Sequence, residues 1–80
     1  MRLLEIINTL NLYQEVEILP TAPKSLQAFV GKKGVIVGIS EEDGILYGYG
    51  VWVHGENEID CFDGKDLKPT GKQFKREDFY

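Results

Sequence analysis

The stretch from Gly34 to Val53 constrains the fold more than any other part of the chain. Val35-Ile36-Val37-Gly38-Ile39 is dominated by β-branched residues, and Ile45 to Val53 is a longer run carrying Tyr47, Tyr49, Val51, Trp52 and Val53. Such side chains suit a pleated, half-buried surface. Between the runs stands Glu41-Glu42-Asp43-Gly44, and Asp-Gly is among the strongest hairpin signals. A chain organised on this hairpin is a β-protein.

The remaining segments extend the pattern. Tyr13 to Leu19 reads as a first strand, ended by Pro20-Thr21-Ala22-Pro23 because proline cannot donate to a ladder. Gly31-Lys32-Lys33-Gly34 is a turn. His54-Gly55-Glu56-Asn57-Glu58 is another, leading to a short strand at Ile59–Phe62. Asp66 to Gly71 reads as one tight turn before a last short strand. Short strands between turn signals at roughly 8–12 residue intervals indicate a small sandwich or barrel. With 80 residues the chain is one small domain. The expected fold is all-β, a five-stranded SH3-like barrel over residues 12–72. A short N-terminal helix precedes it at 1–11, from the i, i+3, i+4, i+7 spacing of Leu3, Leu4, Ile6, Ile7 and Leu10. A polar tail follows at 73–80.

Turn length decides which side chains share a face. A three-residue loop, Glu42-Asp43-Gly44 with a left-handed Gly44, sets Glu41 opposite Ile45 and gathers Val35, Val37, Ile39, Tyr47, Tyr49 and Val51 into one apolar core face. A two-residue Asp43-Gly44 turn shifts the pairing by one and gives a poorer core. The three-residue loop is therefore expected. It places Trp52 on the outer face, either as an exposed anchor or beneath the N-terminal helix.

No catalytic set stands out. His54, Glu56, Glu58 and Asp60 alternate as metal ligands on a strand would, but Gly55 and Asn57 mark a solvated turn instead. Cys61, the one cysteine, falls in a short apolar strand, where a buried inert thiol is usual. No third group is evident to orient a Cys61–His54 pair, and no phosphate-binding glycine loop is present. The chain is expected to be no enzyme and to need no cofactor or metal. A lone cysteine, an N-terminal stretch interrupted by Glu5, and no apolar run near the ~20 residues of a membrane span fit a cytoplasmic protein away from membranes.

Charge is more informative. The net charge is −4, which disfavours nonspecific binding to nucleic acid. Between Glu41 and Asp66 stand eight acids against one base, Lys65. An acidic surface from Glu41, Glu42, Asp43, Glu56, Glu58 and Asp60, with Trp52 as anchor, is the expected partner-binding site. Such a field steers a basic protein.

The segments Phe29-Val30-Gly31-Lys32-Lys33-Gly34-Val35-Ile36-Val37-Gly38-Ile39, Tyr47-Gly48-Tyr49-Gly50-Val51, Cys61-Phe62 and Asp66-Leu67-Lys68-Pro69-Thr70-Gly71 resemble a bacterial family, the immunity proteins of polymorphic toxin systems called immunity protein 31. The resemblance covers roughly residues 12–72 and rests on glycine and aromatic framework positions. It implies a cytoplasmic protein of small, mostly-β fold that neutralises a toxin delivered by a neighbouring cell, and it brings no catalytic residues. Combined with the acidic surface, the expected partner is a basic toxin domain, and the chain is expected to be a monomer or weak dimer. A transcriptional regulator or antirepressor, or another SH3-like adaptor, is the alternative.

Overall fold

In the computed structural model, which describes residues 10–79, half of the described residues lie in strands. Five strands form one antiparallel sheet: β1 (Gln14–Ile18), β2 (Lys33–Glu42), β3 (Ile45–Val53), β4 (Ile59–Phe62) and β5 (Leu67–Gln73). Their order is β4-β3-β2-β1-β5, so β4 and β5 are the two edges and the sheet is not closed. The helical segments among the described residues are single 3-10 stretches at Lys24–Phe29, Gly64–Asp66 and Arg76–Asp78. No helix among them is long and apolar enough to cross a membrane. The N-terminal helix expected over 1–11 lies almost wholly outside the described residues, which include only its end. Leu10 there is buried in the core.

The β2–β3 hairpin departs from its expected register. Glu42 pairs with Ile45, so the turn has two residues, and Asp43 (φ 54°) and Gly44 (φ 80°) are both left-handed. That is the primed turn whose twist matches its strands. Two bulges follow. Ser40 pairs with Gly48 while Glu41 pairs with Leu46, leaving Tyr47 as an extra residue on β3. Gly38 pairs with Gly50 while Ile36 pairs with Val51, leaving Val37 extra on β2. Directly paired residues share a face, so Ile36, not Val35, joins Tyr49, Val51 and Val53 in the core.

That core is completed by Val16 and Ile18 of β1, Phe62 of β4 and Leu67 of β5, with Leu26, Phe29 and Val30 packed against it from the 3-10 segment and its end. Tyr49 and Val51 sit where the expected core face put them. Ile39 shares that face, opposite Tyr49, but lies 41% exposed at its rim, while Tyr47 lies off it and is 58% exposed. Val35 is buried on the opposite side, paired with Trp52.

Two further expectations are corrected. Asp66–Gly71 is not a turn: Pro69 lies within β5, opposite Val16. Because β5 is an edge strand, the missing N–H costs no ladder bond on its open side. The tail is not simply polar, because Phe74 and Phe79 fold back onto the outer face of the sheet. Asp66 anchors the segment before β5. Its carboxyl is fully buried, accepts a 2.6 Å hydrogen bond from Thr21 Oγ1 and lies 3.1 Å from Lys65 Nζ, while its backbone C=O accepts from Leu19 N–H.

Two measurements check this account. An added Cβ at Gly44 meets nothing within 4 Å, so Gly44→Val isolates the cost of a left-handed β-branched residue. Chemical denaturation is expected to show a loss of about 1–2 kcal/mol. Thr21→Val, nearly isosteric, strips Asp66 of its shortest hydrogen bond. It is expected to cost about 1–3 kcal/mol, a drop in melting temperature of roughly 4–8 °C per kcal/mol for a domain of this size.

Candidate functional site

The residues expected to form one acidic surface are divided by the length of β3. Glu41, Glu42 and Asp43 sit at the β2–β3 turn, and Glu56 and Glu58 sit in the β3–β4 connection at its other end. Nine residues of strand span roughly 27 Å at ~3.3 Å per residue. That exceeds three Debye lengths of about 8 Å in physiological salt. The two turns are therefore screened from each other. Asp60 lies between them, opposite Val51. Asp63, just past β4, borders Tyr47 and Gly48 and so belongs with the β2–β3 end.

At the β3–β4 end, Glu56 is 3.8 Å from Lys32, and its backbone C=O accepts the Trp52 indole N–H at 2.8 Å. Trp52 stands on the outer face as expected and is 40% exposed. Among the described residues its cover comes from the C-terminal tail, through Phe79 at 6.1 Å between ring centroids; the N-terminal helix expected as an alternative cover lies almost wholly outside them. Phe79 also stacks on Tyr13 and meets Phe74 edge-on. Tyr13 holds a left-handed φ of 65°, pinned by its N–H to Ile36 O and its C=O from Phe74 N–H. The Asp78 carboxylate accepts the Lys75 backbone N–H and closes the turn that presents Phe79. A cleft of about 330 Å³ opens between Val35, Trp52, Asn57 and Phe79.

His54 does not gather the neighbouring acids. Its Nε2 lies 3.0 Å from Glu15 Oε2, and the other Glu15 oxygen accepts from Thr70 Oγ1 at 2.7 Å. The Thr70 hydrogen bond, then that of His54, hold the Glu15 carboxyl below its usual value of 4.5. Cys61 is exposed, contrary to its expected burial, because it pairs with Gly50 on the outer side of the sheet. It stands four positions from His54 along the line of β3, roughly 13 Å at ~3.3 Å per residue. The two are not a nucleophile–base pair.

At the β2–β3 end the hairpin runs past β4, which pairs with β3 only between Tyr49 and Trp52. The resulting ribbon exposes Ile45 (56%), Leu46 (47%) and Tyr47 (58%) beside Glu41, Glu42 and Asp43. Ile59, opposite Trp52, adds another exposed apolar side chain on the outer face. Reading the sequence by acids alone misses Ile45, Leu46, Tyr47 and Ile59. The signal that could find them is a strand of nine residues facing a partner of four: the surplus must project.

No family model, curated protein or solved structure matches the chain.

The Glu15 site generates a pH test. A carboxyl whose folded pKa is lowered contributes stability that is present above the unfolded value and lost as pH falls through the folded one. Melting temperature is therefore expected to fall as pH drops below about 4.5. Glu15→Gln is expected to flatten that fall, and Thr70→Val to flatten it in part.

Proposed function

We propose that this chain is a non-enzymatic module that binds and inhibits a basic protein partner through the β2–β3 ribbon. The carrying observation is the coincidence of Ile45, Leu46 and Tyr47, all exposed, with Glu41, Glu42 and Asp43 on one projecting hairpin. Exposed apolar side chains on both faces of a projecting ribbon mark it as an interaction site. The acids around it set the sign of the partner's charge and its rate of approach.

One argument supports an SH3-like curvature of the sheet. The edges β4 and β5 are the outermost of five strands, so in a flat sheet they would lie about 19 Å apart at ~4.8 Å per strand. Yet only Asp63–Asp66 separates Phe62 from Leu67, and Gly64–Asp66 is a 3-10 turn rising only ~2 Å per residue. The sheet has to curl to bring those edges together. The curl supports the fold alone; the resemblance to toxin immunity proteins supports the role, a cytoplasmic inhibitor that occupies a toxin domain.

The test is capture of the partner from the native host, followed by binding kinetics at two salt concentrations. Reversing Glu41, Glu42 and Asp43 to lysine is expected to slow association at least tenfold and flatten its salt dependence. Reversing Glu56 and Glu58, at the far end of β3, is expected to leave association within twofold. An acidic partner, or equal effects from both ends, overturns the reading. For the immunity role, co-expression with the captured protein is expected to relieve its toxicity.

A further inference from the structure

We propose that the edge of β3 at Ile45–Tyr47, unpartnered among the described residues, takes an extended segment of the partner as an added strand, its side chains alternating basic and apolar. This rests on the reading that the partner is a basic protein. β4 ends its pairing at Tyr49 and its last carbonyl, that of Phe62, lies against Gly48, so the β4 side of residues 45–47 has no strand beside it among the described residues. No turn or loop backbone group among them hydrogen bonds to residues 45–48 either. In an antiparallel ladder hydrogen-bonded and non-bonded pairs alternate. With Glu42 and Ile45 closing the two-residue turn, the N–H and C=O of Leu46 point away from β2, toward the side that no described strand occupies. Unpaired groups of this kind are a template for strand addition.

The side chains beside the edge define what fits. The Tyr47 bulge puts Leu46 and Tyr49, three residues apart, on the same side of the sheet. Both line a cavity of about 480 Å³ with Leu10, Leu67 and Pro69. Tyr47 lines a shallower cleft of about 120 Å³ with Ser40, Cys61 and Asp63. Cys61 pairs with Gly50, which places this cleft on the outer face. Successive side chains of an added strand point to opposite faces. One set therefore enters the apolar cavity, and the other meets Tyr47 and Asp63.

Charge selects the occupant. Glu41 and Glu42 stand across β3 on β2, Asp43 stands in the turn, and Asp63 lines the cleft beside Tyr47. The base at the cavity rim, Lys65, has its Nζ 3.1 Å from the buried Asp66 carboxyl. A second copy of this chain would bring the same carboxylates against these. A partner strand with apolar residues toward Leu46 and Tyr49, and lysine or arginine toward Asp63, satisfies both faces.

The probe is a capped seven-residue peptide alternating lysine and valine, titrated into the full chain while amide shifts are followed. Two isomers carry N-methyl groups on alternate residues, one set blocking each edge of the peptide strand. The unmodified peptide is expected to shift the amides of residues 45–48. One isomer is expected to lose affinity at least tenfold while the other keeps it. Leu46→Lys and Asp63→Lys are each expected to weaken binding severalfold. The isomers leave the protein unaltered, so misfolding cannot mimic the result. Equal binding of both isomers, or shifts confined to residues 41–43, overturns strand addition and leaves a purely electrostatic contact with a basic partner standing. Failure of the peptide to bind, or self-association of the chain through residues 45–48, also overturns the proposal. The salt dependence of the captured partner then judges the basic-partner reading separately.

Discussion

The architecture depends on β3 carrying more residues than β4 can pair with, and on two bulges that let it do so. β3 is the only strand that bonds to both β2 and β4, and it supplies Tyr49, Val51 and Val53 to the core. A strand in perfect register would place Ile36, Gly38 and Ser40 on one side. The extra residue at Val37 breaks that run, so Ile36 and Ile39 fall on the core side, Ile39 at its exposed rim, while Gly38 and Gly50 meet on the outside. The extra residue at Tyr47 does the same on β3. A bulge bends its strand and increases its twist. These two stand where the ribbon leaves the sheet.

The outer face follows from the same register. Val35 opposite Trp52 creates an apolar spot that solvent would otherwise reach. The C-terminal segment covers it with Phe74 and Phe79, while Lys72 stands over the Phe74 ring at 4.7 Å. A domain of this size buries a modest fraction of its surface. Aromatic pairs contribute roughly 0.5–1.5 kcal/mol beyond their area, so a second small cluster on the outer side is a substantial addition. The left-handed Tyr13 belongs to this arrangement: the backbone accepts an unfavourable φ there and in exchange aims its ring at Phe79.

Much of this is legible in the sequence. The strands at Gln14–Ile18, Lys33–Glu42, Ile45–Val53 and Ile59–Phe62 stand close to where β-branched runs and turn residues place them. The register is not legible. Val35-Ile36-Val37 is apolar at every position, so alternation cannot say which residue faces inward, and a bulge has no local signature in such a run. Pro69 misleads for a different reason: proline signals a turn or an edge strand equally, and only the sheet order decides between them. The acids mislead because nearness in sequence is not nearness in space. Asp43 and Glu56 lie at opposite ends of β3, a strand whose length is itself evident from its run of β-formers. Cys61 reads as buried because its neighbours Ile59 and Phe62 are apolar, yet Ile59 is itself exposed.

An exposed strand edge with apolar side chains is a hazard that proteins blunt with charge, usually lysine on the edge itself. This ribbon carries its charge otherwise. Glu41 and Glu42 are on the neighbouring strand and Asp43 is in the turn, so the edge at Ile45–Tyr47 carries no guard of its own. Carboxylates placed around an edge instead of on it repel a second copy of the same chain, because both copies bring the same sign. They do not repel a cationic strand. In the proposed docking the same placement would discourage self-assembly while leaving the backbone groups open to a partner of opposite charge. Selectivity of this kind needs a repulsive element as well as an attractive one, and a single set of acids would supply both.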